Sequence, residues 1–594
     1  MKKLRDSVNI ILNVSQKKRL AYLILLISIG SSLEVIGVGL IVPAVITILD
    51  PSFIQNLASL EERISLYIEP THSNLVFLSM FMLFLFYILK SFFLIYMTIQ
   101  QGKFTYEIKE KIGERLFNSY IRKPYPFFLV NNTSRLIRNL TTETANLGMI
   151  VRAMLTLVVD GILFIFIVAI LLYVEPVGTI SIALLLLISA GIYQRLTQQH
   201  LLNAGKQRQF HDGKKIQHIQ QGISSIKDVK ILGKEEEFLD RFFTHNHKGV
   251  IAERLQFILA AMPRLFLEFI VILGLIILVL ILFIDQQDQE TSAVVLGIYA
   301  VAIFRLLPSI NRILGAAQKL RFALPSLTVV LEELSDIEPE EIDEIVKIQP
   351  EANKKIDLNY ELKLTNLYFQ HDSSDIFSIK DLNLELKAHT SLGVFGGSGA
   401  GKSTMIDLIM GLLEPTEGKI TIDGKDIKDQ LSGWQKNIGY VAQTIYLTDD
   451  SIKRNIAFGV TDQEIDEDRV RECIVAAKLE DVIEALPAKS DTEIGERGVR
   501  LSGGQRQRIG IARALYHDPS VLIFDEATSS LDFDTELEVM ETINALQSKK
   551  TIIIVSHRIN TLSECDVVVQ LHKGSLKEIG NFQTVIGKEK GELE

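Results

Sequence analysis

Two folds joined in one chain are predicted: an α-helical six-span transmembrane domain, then an α/β domain built on a largely parallel sheet. Three observations predict them. Six apolar stretches lie before about residue 325, each long enough to cross a hydrocarbon core of roughly 30 Å as a helix. A segment rich in proline and charge, DIEPEEIDEIVKIQPEANKK, then breaks the apolar pattern. Beyond it, short apolar runs alternate with helical ones: GVFG, KITIDG, NIGYVAQ, VLIFDE, TIIIVSH and DVVVQL. The expected boundaries are 1–334 for the membrane part, 335–356 for a linker and 357–594 for the α/β part.

The spans fall near 20–49, 74–100, 150–173, 177–199, 255–285 and 292–324. In hydrocarbon a backbone must satisfy its own hydrogen bonds, so these spans are helices. Lys2, Lys3, Arg5, Lys17, Lys18 and Arg19 precede the first span, and basic residues recur in 101–149 and 200–254. The positive-inside tendency puts both termini and both long segments in the cytoplasm. Those two inner segments read as helical, so the spans are expected to continue well beyond the membrane. Short helices are expected midway, in 120–135 and 222–237. Residues 53–68, FIQNLASLEERISLYI, carry apolar side chains at helical spacing opposite Glu61, Glu62 and Arg63. They read as an external amphipathic helix, either on the membrane surface or as an ordinary cap.

Composition limits the function. Of 594 residues 47% are hydrophobic and 23% charged, and the net charge is −10, which argues against a general nucleic-acid binder. The two cysteines, Cys473 and Cys565, cannot form a disulfide framework and suit a cytosolic α/β domain. The N-terminus shows no short apolar core with a small-residue cleavage site, so no removable signal peptide is expected.

The chemistry sits in the second part. Gly396-Gly397-Ser398-Gly399-Ala400-Gly401-Lys402-Ser403-Thr404 matches G-x-x-x-x-G-K-[ST] directly after an apolar run and at the start of a helical one. Glycines let backbone N–H groups approach phosphate, and the helix N-terminus adds its positive dipole end. Lys402 can reach the β and γ phosphates, and the Ser403 hydroxyl can ligate Mg²⁺. Val521-Leu522-Ile523-Phe524-Asp525-Glu526 reads as a buried strand ending in two carboxylates. Asp525 would orient the Mg²⁺ shell and Glu526 would polarise the attacking water.

Leu501-Ser502-Gly503-Gly504-Gln505 is the point at which the chain resembles the ATP-binding-cassette (ABC) family. Gln443, the loop Ser530-Leu531-Asp532 and the switch residue His557 follow the family pattern, and Gly495–Gly498 resembles the exporter loop that touches the partner's membrane domain. The resemblance covers essentially the whole chain and implies a type IV ABC exporter fold using ATP and Mg²⁺. It implies Glu526, His557 and Gln443 as catalytic residues, with Ser403, Gln443 and Asp525 around the metal. It further implies that ATP is sandwiched head-to-tail between the phosphate loop and Asp532 of one copy and Ser502, Gly504 and Gln505 of another. With one cassette per chain, the simplest assembly is a homodimer. One departure concerns adenine stacking: His371 stands where the family carries an aromatic, with Tyr368 as second candidate.

Charged residues inside spans are costly and usually face a cavity or a partner. Lys90, Arg264, Arg305 and Arg312 are the candidate substrate contacts, and Arg305, Arg312 and Lys319 fall on one face of span six at i, i+7, i+14. With M-P-R-L-F-L-E, F-R-L-L-P-S-I-N-R-I and the external helix, the membrane half resembles bacterial lipid-linked oligosaccharide flippases of N-glycosylation. That implies flipping of a polyprenyl-pyrophosphate-linked glycan from the inner to the outer side of the bacterial cytoplasmic (inner) membrane. A lipid A or phospholipid flippase, a multidrug exporter, an importer on this fold and an ATP-gated channel or regulator stay open. A soluble member of the family is excluded by the six spans.

Overall fold

The computed structural model describes residues 10–49, 72–174, 176–284, 289–335, 355–371, 376–528, 533–547 and 549–586. The chain divides into two compact units, one of 1–123 with 127–342 and one of 124–126 with 343–594.

Six long helices make the first unit: α1 (Val14–Leu49), α2 (His72–Arg122), α5 (Thr144–Val174), α6 (Pro176–Ser224), α8 (Glu235–Ile284) and α9 (Gln289–Ser335). They match the six predicted spans in order. Among the described residues, five helices are long and apolar enough to cross a membrane by length and composition, with α9 the sixth long one. At 1.5 Å per residue, the 51 residues of α2 and the 49 of α6 reach more than twice the hydrocarbon thickness. The expected extension of the spans as helices is therefore present. Short helices appear where they were expected: α3 (Tyr125–Val130), α4 (Thr133–Arg138) and α7 (Ile226–Leu232). Gly233 ends α7 in a left-handed cap at φ 58°, its N–H bonding Lys230 O while Lys234 N–H bonds Val229 O. Residues 53–68 and most of the linker lie outside the described residues.

Apolar side chains lie on both the inside and the outside of this unit. Leu23, Ile27, Ile108, Ile112, Leu116 and Leu147 are buried between helices, while Phe77, Phe81, Phe84, Leu89 and Phe92 of α2 face outward. Gly205 lets α6 lie against α9, since a Cβ there would come within 2.2 Å of Phe322 O.

Below the spans sits a buried polar cluster. A single π-turn, Asn139–Glu143, joins α4 to α5 and carries Glu143 inward, with no exposed surface. Its carboxylate lies 3.3 Å from Arg138 Nε and 3.4 Å from Arg208 Nη2 of α6, and Arg208 also donates to Ser326 Oγ at 2.8 Å. Asn139 Nδ2 donates to the Tyr120 phenol oxygen and to Glu333 Oε1, both at 3.1 Å. Three helices thus converge on one carboxylate held between two arginines.

The second unit holds two sheets. A six-stranded sheet runs β10-β9-β3-β8-β7-β6, with β3 (Ser391–Gly396), β6 (Ile438–Val441), β7 (Val521–Asp525), β8 (Thr551–Val555) and β9 (Val567–His572) all parallel. Only β10 (Ser575–Gly580) is antiparallel. A four-stranded sheet runs β2-β1-β4-β5, from β1 (Glu361–Gln370), β2 (Phe377–Lys387), β4 (Glu417–Ile422) and β5 (Lys425–Asp426). Strand β8 is buried throughout, as are the first four residues of β7, which is why both read as continuous apolar runs. Helix α10 (Lys402–Ile409) follows β3, and Trp434, fully buried, donates from Nε1 to Ile409 O at 2.7 Å and fixes its far end.

Removing one partner from the Glu143 cluster strands a buried charge, which typically costs ~3–5 kcal/mol. Arg208→Ala is therefore expected to lower the melting temperature of the detergent-solubilised protein clearly, and Glu143→Gln in the same chain to recover part of the loss. Equal melting of wild type and Arg208→Ala would show that the cluster carries no net stability.

Candidate functional site

The end of β3 turns into α10 through glycines that no other residue replaces. Gly396 takes φ 154° and a Cβ on it would lie 2.3 Å from Leu571 O; Gly401 takes φ 101° and a Cβ would lie 2.8 Å from Ser378 O. Gly399, at φ 75°, has open space around it. The turn from β9 to β10 braces this loop, with Gly574 N–H on Ala400 O at 3.0 Å.

Lys402 is buried and its ammonium donates to Gly396 O at 2.9 Å and Gly397 O at 3.2 Å. Burial pushes that ammonium's pKa down, against the opposing pull of Glu526 and Asp525. A cleft of about 560 Å³ opens beside it, lined by Ser398, Gly399, Ala400, Gly401, Lys402, Ser403 and Thr404 together with Glu526 and His557. The phosphate loop and two of the three predicted catalytic residues therefore share one cleft.

The third, Gln443, reaches the same carboxylate. Glu526 sits just past β7 in the left-handed region at φ 50°, held by its N–H on Val555 O at 2.9 Å. Its Oε1 is 2.7 Å from His557 Nε2, and its Oε2 accepts from Gln443 Nε2 at 2.6 Å. Both oxygens are spoken for by groups from the ends of the strands on either side. Burial pushes the Asp525 carboxyl above its usual range and the Glu526 charge adds to this, while Tyr440 and Lys402 pull it back. Two carboxylates crowded beside a half-buried strand end favour a cation there. Among the described residues no group of three His, Cys, Asp or Glu side chains can hold a metal ion. An ion bound here would take most of its shell from nucleotide oxygens and water, as Mg²⁺ usually does.

Ser502 and Gln505 form a capping box at the start of α11 (Gly503–Tyr516): Gln505 N–H on Ser502 Oγ at 3.2 Å and Ser502 N–H on Gln505 Oε1 at 2.9 Å. Gly504 lies in that helix's first turn. None of the three lines the cleft of this chain. Asp532, with Ser530 and Leu531, lies outside the described residues. His371 packs edge-on against Phe369 at 4.8 Å, and Tyr368 against Phe377 at 5.8 Å. Neither ring lines the cleft, but Phe377 does, together with Ile376, Lys380 and Lys573. Those four carry no motif: β2 and the β9–β10 turn reach the loop through Gly574, whose carbonyl accepts from Lys380 N–H at 2.7 Å and whose N–H bonds Ala400 O.

In the first unit a cavity of about 810 Å³ is lined by Lys109, Arg152, Arg264, Arg312 and Lys319, with no Asp or Glu among its described lining residues. Of the three predicted substrate residues whose side chains are described, two line this cavity and one does not. Lys90 is not in the lining: its ammonium lies 3.9 Å from the Tyr87 ring centre, between α1 and α2. Arg312 is in the lining but forks onto the buried carboxylate of Asp160, with Nε 3.0 Å from both oxygens and Nη2 2.6 Å from Oδ1. Arg264 is in the lining and pairs with Glu268 one turn on, at 3.1 Å. Lys109 and Arg152 are the cations that sequence reading missed: Lys109 lies in the charged segment beyond the second span, and Arg152 at the very start of the third. The side chain of Arg305 lies outside the described residues.

The comparisons agree with this division. Residues 379–529 match the ABC transporter family, and residues 23–303 match the ABC transporter transmembrane region. The chain is 27% identical over 501 residues to an ATP-dependent lipid A-core flippase of Ralstonia nicotianae, covering 83% of this chain and 82% of that one. It is 29% identical over 481 residues to a protein of the same name from Pasteurella multocida, covering 80% of each. A solved bacterial Atm1-family ABC exporter with ATP bound superposes with a TM-score of 0.77 at 23% identity, over 97% of both chains.

If Glu526 polarises the attacking water, Glu526→Gln should bind ATP normally and turn it over about 10²- to 10³-fold more slowly, in the range of an essential general base. Phosphate release near the wild-type rate would remove Glu526 from that role.

Proposed function

Because the chain belongs to the ABC exporters, with a multi-pass membrane domain fused to its own ATPase, we propose that it flips a polyprenyl-pyrophosphate-linked oligosaccharide from the inner to the outer side of a bacterial cytoplasmic membrane. The observation that carries this reading is the cavity with five cations and no acidic lining residue among those described. A pyrophosphate is the anion that guanidinium groups bind bidentately. Arg312 and Arg264 already have carboxylate partners, so Lys109, Arg152 and Lys319 are the groups available to take the phosphates. The relatives named lipid A-core flippase favour a second reading, a phosphorylated glucosamine lipid at the same cations.

On this reading ATP enters the cleft with its phosphates on the backbone of Gly396–Gly401, and Lys402 turns its ammonium from the Gly396 and Gly397 carbonyls to the β and γ oxygens. Ser403, Gln443 and Asp525 would hold Mg²⁺, which neutralises charge developing on the transferred phosphoryl group. Glu526 orients water; His557 and Gln443, one on each of its oxygens, fix the carboxylate and report on the γ-phosphate side. Ser502 and Gly504, outside their own chain's cleft, close the cleft of a second copy, which makes the working unit a homodimer with both termini cytoplasmic.

Two experiments bear on this. Arg152→Ala with Lys109→Ala should cut glycolipid flipping in proteoliposomes at least tenfold and leave basal ATP hydrolysis within about twofold, as loss of substrate binding alone would do. Supplying lipid-linked glycan and lipid A in parallel decides between the two readings, and undiminished flipping of both by the double variant rejects the cavity as the binding site. For the dimer, mixing Lys402→Ala chains with Ser502→Arg chains places both lesions on one interface and leaves one site intact. Recovered ATPase activity is the expected result, and formed heterodimers with none would refute independent composite sites.

A further inference from the structure

Gln443 is accounted for by its bond to Glu526, but the same strand carries a second polar side chain to the other carboxylate. Tyr440 of β6 donates its phenol O–H to Asp525 Oδ2 at 3.3 Å. The register explains the reach. Strand β6 pairs in parallel with β7, Tyr440 against Ile523 and Val441 against Phe524. Alternate residues share a face, so Tyr440, Ile523 and Asp525 stand on one side of the sheet, and the length of a tyrosine spans the two-residue offset to Asp525. Packing alone does not call for this residue, because the ring stays more than a third exposed (38%) and adds little to the core. Among the described residues, Asp525 Oδ1 accepts no protein hydrogen bond.

We propose that Tyr440 is a positioning residue for the metal-site carboxylate: it holds Asp525 through Oδ2 and leaves Oδ1 for the shell of Mg²⁺. The other charged groups on this side make such a hold necessary. Asp407 of α10 lies close enough that its carboxyl is pushed up to about 6 by burial and by the charge on Asp525. Lys402 and Glu526 act on Asp525 from the phosphate loop and from the next residue. With two acids pushing and one ammonium pulling, an unrestrained Asp525 would settle by charge balance rather than toward the ion. Tyr440 touches neither nucleotide nor reacting water in this scheme. It acts through Asp525.

The test separates metal affinity from nucleotide affinity. A fluorescent ATP analogue is titrated onto the full-length protein in EDTA and at rising free Mg²⁺, and ATP hydrolysis is followed over the same Mg²⁺ range. Tyr440→Phe removes only the hydroxyl. It is expected to leave binding in EDTA within about twofold, to raise the free Mg²⁺ giving half-maximal effect three- to tenfold, and to regain most of kcat at saturating Mg²⁺, because a metal-shell ligand is weakened and not lost. In an Asp525→Asn background, adding Tyr440→Phe should change nothing further, since the two act as one unit. The double variant decides the case even if the single one is destabilised, because a folding defect would lower affinity in EDTA and in the Asp525→Asn background as well. Superimposable Mg²⁺ curves for wild type and Tyr440→Phe overturn the proposal, and so does a shift of equal size in EDTA or without Asp525.

Discussion

Everything at the nucleotide site depends on the parallel pairing of four strands, β3-β8-β7-β6. Parallel strands bring their carboxyl ends to one edge of a sheet, and there the order matters more than the sequence distance. Val394 of β3 and Asp525 of β7 both pair with Val555 of β8, so the phosphate loop and the two carboxylates start from the same level of the sheet. The N–H of Glu526 then bonds Val555 O, which turns the residue into the left-handed region. That conformation costs on the order of 1 kcal/mol or more for a residue with a Cβ. The flanking strands over-determine it, and in exchange the carboxylate stands between His557, two residues past β8, and Gln443, two residues past β6. A slip of one residue in β7 would turn Asp525 to the other face of the sheet.

The membrane unit is governed by a different constraint, the expense of charge away from water. Some of its ionisable groups are neutralised within the protein, some are presented to a cavity, and Arg264 and Arg312 are both. Glu143 sits between Arg138 and Arg208, and Asp160 takes both arms of Arg312. These pairs belong to the architecture: each ties two helices together where neither charge could stand alone. Lys109, Arg152 and Lys319 have no counterpart of that kind among the described residues and share one cavity wall with small residues, Ala145, Gly148, Ala153, Gly315 and Ala316. Small side chains leave room for a ligand beside the cations, which a purely structural ion network would instead fill.

The two units also differ in how a side chain earns its place. In the cassette the key groups sit at strand ends and helix starts, where backbone geometry dictates direction. In the helix bundle a cation can point to lipid, to a neighbour or to a cavity according to rotations of 100° per residue and small tilts, so spacing along one helix gives a face but not its surroundings. Arg312 and Lys319 illustrate this. They lie on one face seven residues apart, yet one is engaged by Asp160 and the other is not.

By itself, the sequence determined the two-part architecture, the long helices running past the membrane, the phosphate loop, the carboxylate pair and the signature turn. All of these are local: a run of about twenty apolar residues, a glycine pattern or a strand ending in two acids specifies its own conformation without help from distant residues. Tertiary structure alone decided that Tyr440 reaches Asp525, that Phe377, Lys380 and Lys573 border the nucleotide cleft, and that Arg312 belongs to Asp160, 152 positions away. The reason is that each is a meeting of segments whose separation along the chain carries no signal. Strand order and helix packing choose the partner, and a side chain's charge states only that some partner must exist.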